Sequence, residues 1–220
     1  MNMENKTRRL TLMAMFAALA YIIMVVGRIP ISSVDFLKYD PKDVILAIAG
    51  FILGPVPALL VSFTVSLIEM ITVSSTGPIG FFMNLLSSAA FACTAASVYR
   101  RRHTLRGAVT GLILGVLLMT GFMLLWNYFI TPIYMGYPRE AVASMLAPVF
   151  LPFNLIKGGI NAAVTILVYK PVSRALKRAG LIESRPGAHV RRENAHIVTI
   201  AAVVLLLSCI FAVLIIKDIL

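Results

Sequence analysis

Seven apolar runs, at 10–27, 42–54, 56–73, 78–99, 107–130, 146–170 and 196–216, take up most of this 220-residue chain. About 20 apolar residues are enough to cross the hydrocarbon layer as a helix, where every backbone hydrogen bond must be satisfied internally. The chain is therefore expected to be all-α, a polytopic membrane helical bundle. Composition agrees: 60% of residues are hydrophobic and 13% charged, against roughly 45–50% and 25% in soluble domains. The run at 42–54 is short and needs neighbours or a tilted partner to sit in a bilayer.

The net charge of +11 would suggest nucleic acid in a soluble protein, but its distribution points to membrane topology instead. Lys6, Arg8 and Arg9 precede the first run, and Arg100, Arg101, Arg102 and Arg106 follow the fourth. Seven more cations, from Lys170 to Arg192, lie between the sixth and seventh, so fourteen share one side. The other side holds five: Arg28, Lys38, Lys42, Arg139 and Lys217. Cytoplasmic loops carry the excess of Lys and Arg, so the N-terminus is expected in the cytoplasm and, after seven spans, the C-terminus outside. No convincing A-x-A-like cleavage site follows the basic N-terminus, and no detachable signal peptide is expected. Cys93 and Cys209 are far apart in apolar runs and read as packing residues, with no disulfide or metal spacing.

Within the sixth run, Asn154, Lys157 and Asn161 stand at i, i+3 and i+7, one stripe of a helix. Insertion scales charge roughly 2.5–3.5 kcal/mol for a lysine at the centre of a membrane helix, so Lys157 must face protein or a polar ligand. Asn127, at the end of the fifth run, offers a donor and an acceptor side by side, which complements an imide edge. The segment 28–41 alternates Phe36, Leu37 and Tyr39 with Asp35, Lys38 and Asp40, which suits either a lid over an aromatic ligand or an interfacial loop. Glu69 near the outer end of the third run reads more readily as a paired structural group than as a catalyst. Ala14 and Ala18, four apart in the first run, allow close approach of another helix, although alanine is common in membrane helices. The segment 181–195 reads as a basic cytoplasmic linker, and 196–216, nearly pure Val, Ile, Leu and Ala, as an added anchor. Nucleotide-binding, zincin and EF-hand signatures are missing, and no nucleophile–base arrangement stands out.

Four segments carry a family resemblance: Leu37-Lys-Tyr-Asp40, Thr76-Gly-Pro-Ile-Gly80, Asn127-Tyr-Phe-Ile-Thr-Pro-Ile-Tyr134 and Leu151-Pro-Phe-Asn-Leu-Ile-Lys157. With them the chain resembles the substrate-binding (S) components of energy-coupling factor (ECF) vitamin transporters, in particular the riboflavin-specific ones. The resemblance covers about 10–180 and implies a six-helix S-component core plus one additional C-terminal transmembrane helix. Residues 1–180 would then form the binding domain, 181–195 the linker and 196–220 the extra helix. It implies that Asn127, Asn154 and Lys157 hold the flavin ring, while Tyr39, Asp40 and backbone around Gly77 help to enclose it. It also implies that Ala14 and Ala18 form a docking face for a transmembrane coupling protein, itself joined to two cytoplasmic ATPase subunits. A bacterial cytoplasmic membrane location follows, with riboflavin as transported substrate, no cofactor and no metal. An S component for thiamine or a pyridoxine-like molecule, an intramembrane enzyme and a ligand-free structural subunit are the competing readings.

Overall fold

The computed structural model of the chain describes residues 3–30, 37–181 and 195–216. Its elements in order are α1 (Met3–Gly27), β1 (Ile29–Pro30), β2 (Lys38–Tyr39), α2 (Lys42–Leu53), α3 (Pro55–Thr72), α4 (Gly77–Arg102) and α5 (Leu105–Phe129). Then come α6 (Thr131–Met135), α7 (Arg139–Met145), a π-helical turn (Leu146–Phe150), α8 (Leu151–Arg178) and α9 (Ala195–Ile216). The fold is the expected helical membrane bundle, with α1, α2, α3, α4, α5 and α8 as its core and α9 added to it. Most of the expected basic linker, residues 182–194, lies outside the described residues, as do Asp35 and Phe36.

Among the described residues, six helical stretches are long and apolar enough to cross a membrane. The expected second span differs. α2 has only 12 residues, about 18 Å at 1.5 Å per residue. All of its residues from Lys42 to Phe51 are buried, so it sits among the other helices and needs no match to the bilayer thickness. The expected sixth span, 146–170, is part of a longer helical stretch, Arg139–Arg178, because the π-helical turn and Pro152 in the first turn of α8 do not interrupt it. Part of the expected lid is a two-stranded antiparallel pair, with Ile29 opposite Tyr39 and Pro30 opposite Lys38.

Local signals explain the breaks. Gly54, at φ 102°, takes the backbone where a side chain would strain it, and Pro55 starts α3 at the position where its missing N–H costs nothing. The Thr104 hydroxyl caps α5 by accepting from the Gly107 N–H at 3.0 Å. The basic ends gather together: the Arg8 guanidinium at the start of α1 donates to the Leu181 carbonyl at 2.9 Å, beyond the end of α8.

Three apolar clusters fill the bundle. One lies around Phe16, Leu46 and Val61, and a second around Phe51, Phe91 and Met119. The third, around Leu37, Tyr39, Val142 and Phe153, is joined by Val213 of α9. α9 packs along α8, where Cys209 faces Gly159, and most of its surface stays outward. Ala14 and Ala18 lie exposed on the outer face of α1.

Helices α4 and α5 approach most closely at two glycines. A Cβ on Gly111 would stand 2.7 Å from the Ala95 carbonyl oxygen, and one on Gly115 2.7 Å from that of Phe91. Both obstacles are backbone, so the helices themselves must part. Gly115→Val should therefore destabilise the detergent-solubilised protein by about 1–3 kcal/mol, the cost of overpacking, and lower its unfolding temperature. Gly121→Ala, where an added Cβ meets nothing within 4 Å, should leave that temperature unchanged or raised.

Candidate functional site

At the end of the bundle away from the basic rim, α2 starts with two ionisable residues in its first turn, Lys42 and Asp43, 1% and 0% exposed. Buried charges need partners, and each has them. The Lys42 ammonium pairs with Asp40 at 3.0 Å and with Glu69 of α3 at 2.5 Å. Glu69 also takes the Arg28 guanidinium and the Asn84 amide at 2.9 Å. Asp43 accepts from the Ser88 hydroxyl at 2.5 Å and from the Asn161 amide at 3.4 Å, and it pairs with Lys157 at 3.5 Å. Three cations and three carboxylates thus neutralise one another in a cluster that joins α2, α3, α4 and α8 with Arg28, just past the end of α1.

The loop residues beside this cluster keep fixed protonation states. Burial pushes the Tyr39 phenol up, and the charges of Asp43 and Asp40 push it further, so it remains a donor. Its hydroxyl donates to Asn161 Oδ1 at 3.0 Å. Burial also works against the charged form of Asp40, but Lys42 and Lys157 outweigh it and hold the carboxyl below its ordinary range.

A cavity adjoins the cluster, about 380 Å³ with the open space at its mouth included. Its polar wall is Lys38, Asn84, Ser87, Asn127, Asn154 and Lys157, and its apolar wall Leu37, Met83, Met123 and Phe153. A second space of about 250 Å³ shares Met83 and is lined by Thr76, Gly80, Trp126, Thr131 and Tyr134 among others. Local bonds orient both asparagines. The Asn127 amide donates to the Met123 carbonyl at 2.6 Å and its Oδ1 accepts from Thr131 at 2.9 Å. The Asn154 amide donates to the Phe150 carbonyl at 2.8 Å. Each uses one N–H on its own helix and keeps a second N–H and acceptor capacity on its oxygen. Such a wall complements a flat ring with adjacent carbonyl and N–H groups, while methionine sulfurs and Phe153 suit the ring faces.

The structure therefore brings Asn127, Asn154 and Lys157 together on one cavity. Tyr39 and Asp40 are buried beside it in the charge cluster and do not line it. Gly77, at φ 55°, starts α4 and lines neither space; its neighbour Thr76 lines the second one. Asn161 faces Tyr39 and Asp43, away from the cavity wall. Sequence reasoning counted Arg28 and Lys42 as loop cations and passed over Asp43, Ser88 and Asn84. Asp43 had a legible signal, a carboxylate at the edge of one apolar run in a chain that places a lysine within another; Ser88 and Asn84 had none. Glu69 is the paired group expected.

The model for the family described as ECF transporter, substrate-specific component, matches residues 8–169. The riboflavin transporter RibU of Staphylococcus aureus is 31% identical over 185 residues, covering 81% of this chain and 96% of that protein. The riboflavin transporter FmnP of Bacillus subtilis is 27% identical over 195 residues, covering 84% and 99%. A solved structure of the S component of a bacterial ECF transporter superposes with a TM-score of 0.69 at 30% identity, covering 79% of this chain and 99% of that one.

Glu69 holds two cations and an amide, so its removal leaves charge buried without a partner. Glu69→Ala should cost about 3–5 kcal/mol, as the breaking of a buried ion pair does. Thermal unfolding of the purified protein in detergent checks this: a large fall in the unfolding temperature is expected, and an unchanged value would show that Arg28 and Lys42 find other partners.

Proposed function

Because the chain belongs to the family of ECF transporter substrate-specific components, we propose that it captures riboflavin at the outer face of the membrane and releases it inward with an ATP-driven ECF module. The observation that carries this reading is the convergence of Asn127, Asn154 and Lys157 on one cavity. Riboflavin is neutral, flat and aromatic, with a carbonyl–NH–carbonyl edge and a chain of hydroxyls. The two amides and the ammonium suit the edge, and Leu37, Met83, Met123 and Phe153 suit the ring. Riboflavin is the transported substrate; the protein is a multi-pass membrane transport component and not an enzyme.

In this reading Asn127, Asn154 and Lys157 touch the flavin. Tyr39 and Asp40 hold the outer segment in place over the cavity, and Gly77 sets the turn beside Thr76 and Gly80, which line the neighbouring space. Residues 1–180 form the binding domain, 181–195 a cytoplasmic linker and 196–220 an anchor. The basic ends lie in the cytoplasm with the N-terminus.

The partners are a transmembrane coupling protein and, through it, two cytoplasmic ATPase subunits. Their docking face is the outer surface of α1, where the exposed Ala14 and Ala18 permit close backbone approach.

Two experiments test these assignments. A hydrogen bond to a charged group contributes roughly 1.5–3 kcal/mol, so Lys157→Ala should weaken riboflavin binding about ten- to a hundredfold, as read by quenching of flavin fluorescence. Asn127→Ala and Asn154→Ala should also weaken it, and a Lys157→Ala protein of unchanged affinity would remove that residue from the site. The double variant Ala14→Trp, Ala18→Trp should bind riboflavin normally in detergent. It should lose both co-purification with the coupling protein and ATP-dependent uptake in cells; full uptake would refute the docking face.

A further inference from the structure

We propose that Asp43 is a positioning residue for ligand capture, holding the Lys157 ammonium at the cavity wall from the first turn of α2. The inference rests on the reading that Lys157 touches riboflavin, and it extends the site to a residue that does not line the cavity.

The Asp43 carboxylate is wholly buried and fixed from three helices. It lies in the first turn of α2, where the helix N-terminus favours an anion. Ser88 of α4 donates to Oδ1 at 2.5 Å, in the range of a charge-assisted O–H···O⁻ bond. Asn161 of α8 donates to Oδ2 at 3.4 Å. The orientation of that amide is itself determined, because its oxygen accepts from Tyr39 at 3.0 Å. A flipped amide would set its oxygen against the carboxylate and its N–H₂ against the phenol hydrogen.

Lys157 Nζ stands 3.5 Å from Asp43 Oδ2, beyond the roughly 2.7–2.9 Å of a direct N⁺–H···O⁻ bond. The attraction orients the ammonium without consuming its donors, and an ammonium has three donors and no acceptor. Lys157 lines the cavity, so those donors are within reach of a ligand held there. A long flexible side chain is thereby ordered before the ligand arrives, so the ligand need not quench its rotamers. The neighbouring carboxylates are engaged elsewhere: Asp40 with the Lys42 ammonium at 3.0 Å, and Glu69 with Lys42 and Arg28. Among the described residues Asp43 is the carboxylate paired with Lys157.

Riboflavin titration by fluorescence quenching in four purified proteins tests the proposal: the parent, Asp43→Asn, Lys157→Met and the double variant. Asparagine keeps an acceptor for Ser88 and removes the charge. Asp43→Asn is expected to weaken binding about tenfold where Lys157 is present, and to change affinity by less than about twofold in the Lys157→Met background. Equal losses in both backgrounds would mean that Asp43 acts through the fold alone, and parent-like affinity of Asp43→Asn beside a weakened Lys157→Met would exclude positioning; either overturns the proposal. Unchanged affinity of Lys157→Met would instead overturn the underlying assignment of Lys157 to the ligand. Should Asp43→Asn not yield folded protein, Ser88→Ala loosens the same carboxylate. It is expected to weaken binding about threefold with Lys157 present, about half the effect of one hydrogen bond to a charged group. In the Lys157→Met background it should have no effect, and equal loss in both backgrounds would again overturn the proposal.

Discussion

Helix α2 begins inside the bundle with two opposite charges in its first turn, and the site is built around their neutralisation. An ion taken from water into an apolar medium loses several kcal/mol even after relaxation, and only close partners recover it. Lys42 draws in Asp40 and Glu69, and Glu69 draws in Arg28 and Asn84. Asp43 draws in Ser88, Asn161 and Lys157. α3, α4 and α8 thereby meet at the head of α2, together with Arg28 just past the end of α1. Membrane helices gain nothing from the hydrophobic effect when they pack against one another instead of lipid, so this polar junction specifies an arrangement that apolar contact alone leaves loose.

The same junction places the cavity. α8 carries Asn154 and Lys157 into it and Asn161 into the charge cluster, so one helical stripe serves both. The π-helical turn just before α8 lies where Pro148 and Pro152 each withhold a backbone N–H, and wider turns of this kind often sit beside functional residues. α5 supplies Asn127 and α4 supplies Asn84 and Ser87, while the strand pair brings Leu37 and Lys38 over the top. Polar groups that would be costly in lipid are thus gathered where a polar ligand edge can use them.

The sequence made the bundle legible because its signal is additive. Long apolar runs, Gly and Pro at the breaks and basic loops each point the same way, and α3, α4, α5 and α9 lie within a few residues of their expected bounds. Lys157 stood out because a lone cation in an apolar run has few explanations, and Asn154 followed from helical spacing. Pairing across elements was not legible. That Tyr39 turns to Asn161, 122 positions away, and that Asp43 meets Ser88 and Lys157 depends on how helices cross, which periodicity within one helix does not encode. α2 shows the same limit: that its short run needs neighbours was legible, but not which helices bury ten of its twelve residues.

The added helix bears on how such a component meets a partner. α9 packs along α8, with Cys209 set against Gly159 and Val213 against the cluster beneath the strand pair. α1 packs against α2 and α3 on another side of the bundle, and its Ala14 and Ala18 stay exposed. Its neighbouring outward residues are large, among them Leu10, Met15, Leu19 and Ile22, so the two alanines are small side chains within a large apolar face. Lipid tails fill such a surface as readily as α9 does elsewhere, but a second helix gains from it the close backbone approach that lipid cannot exploit. α9 therefore packs behind Leu37 and Phe153 of the cavity wall and leaves Ala14 and Ala18, the face proposed for docking, exposed.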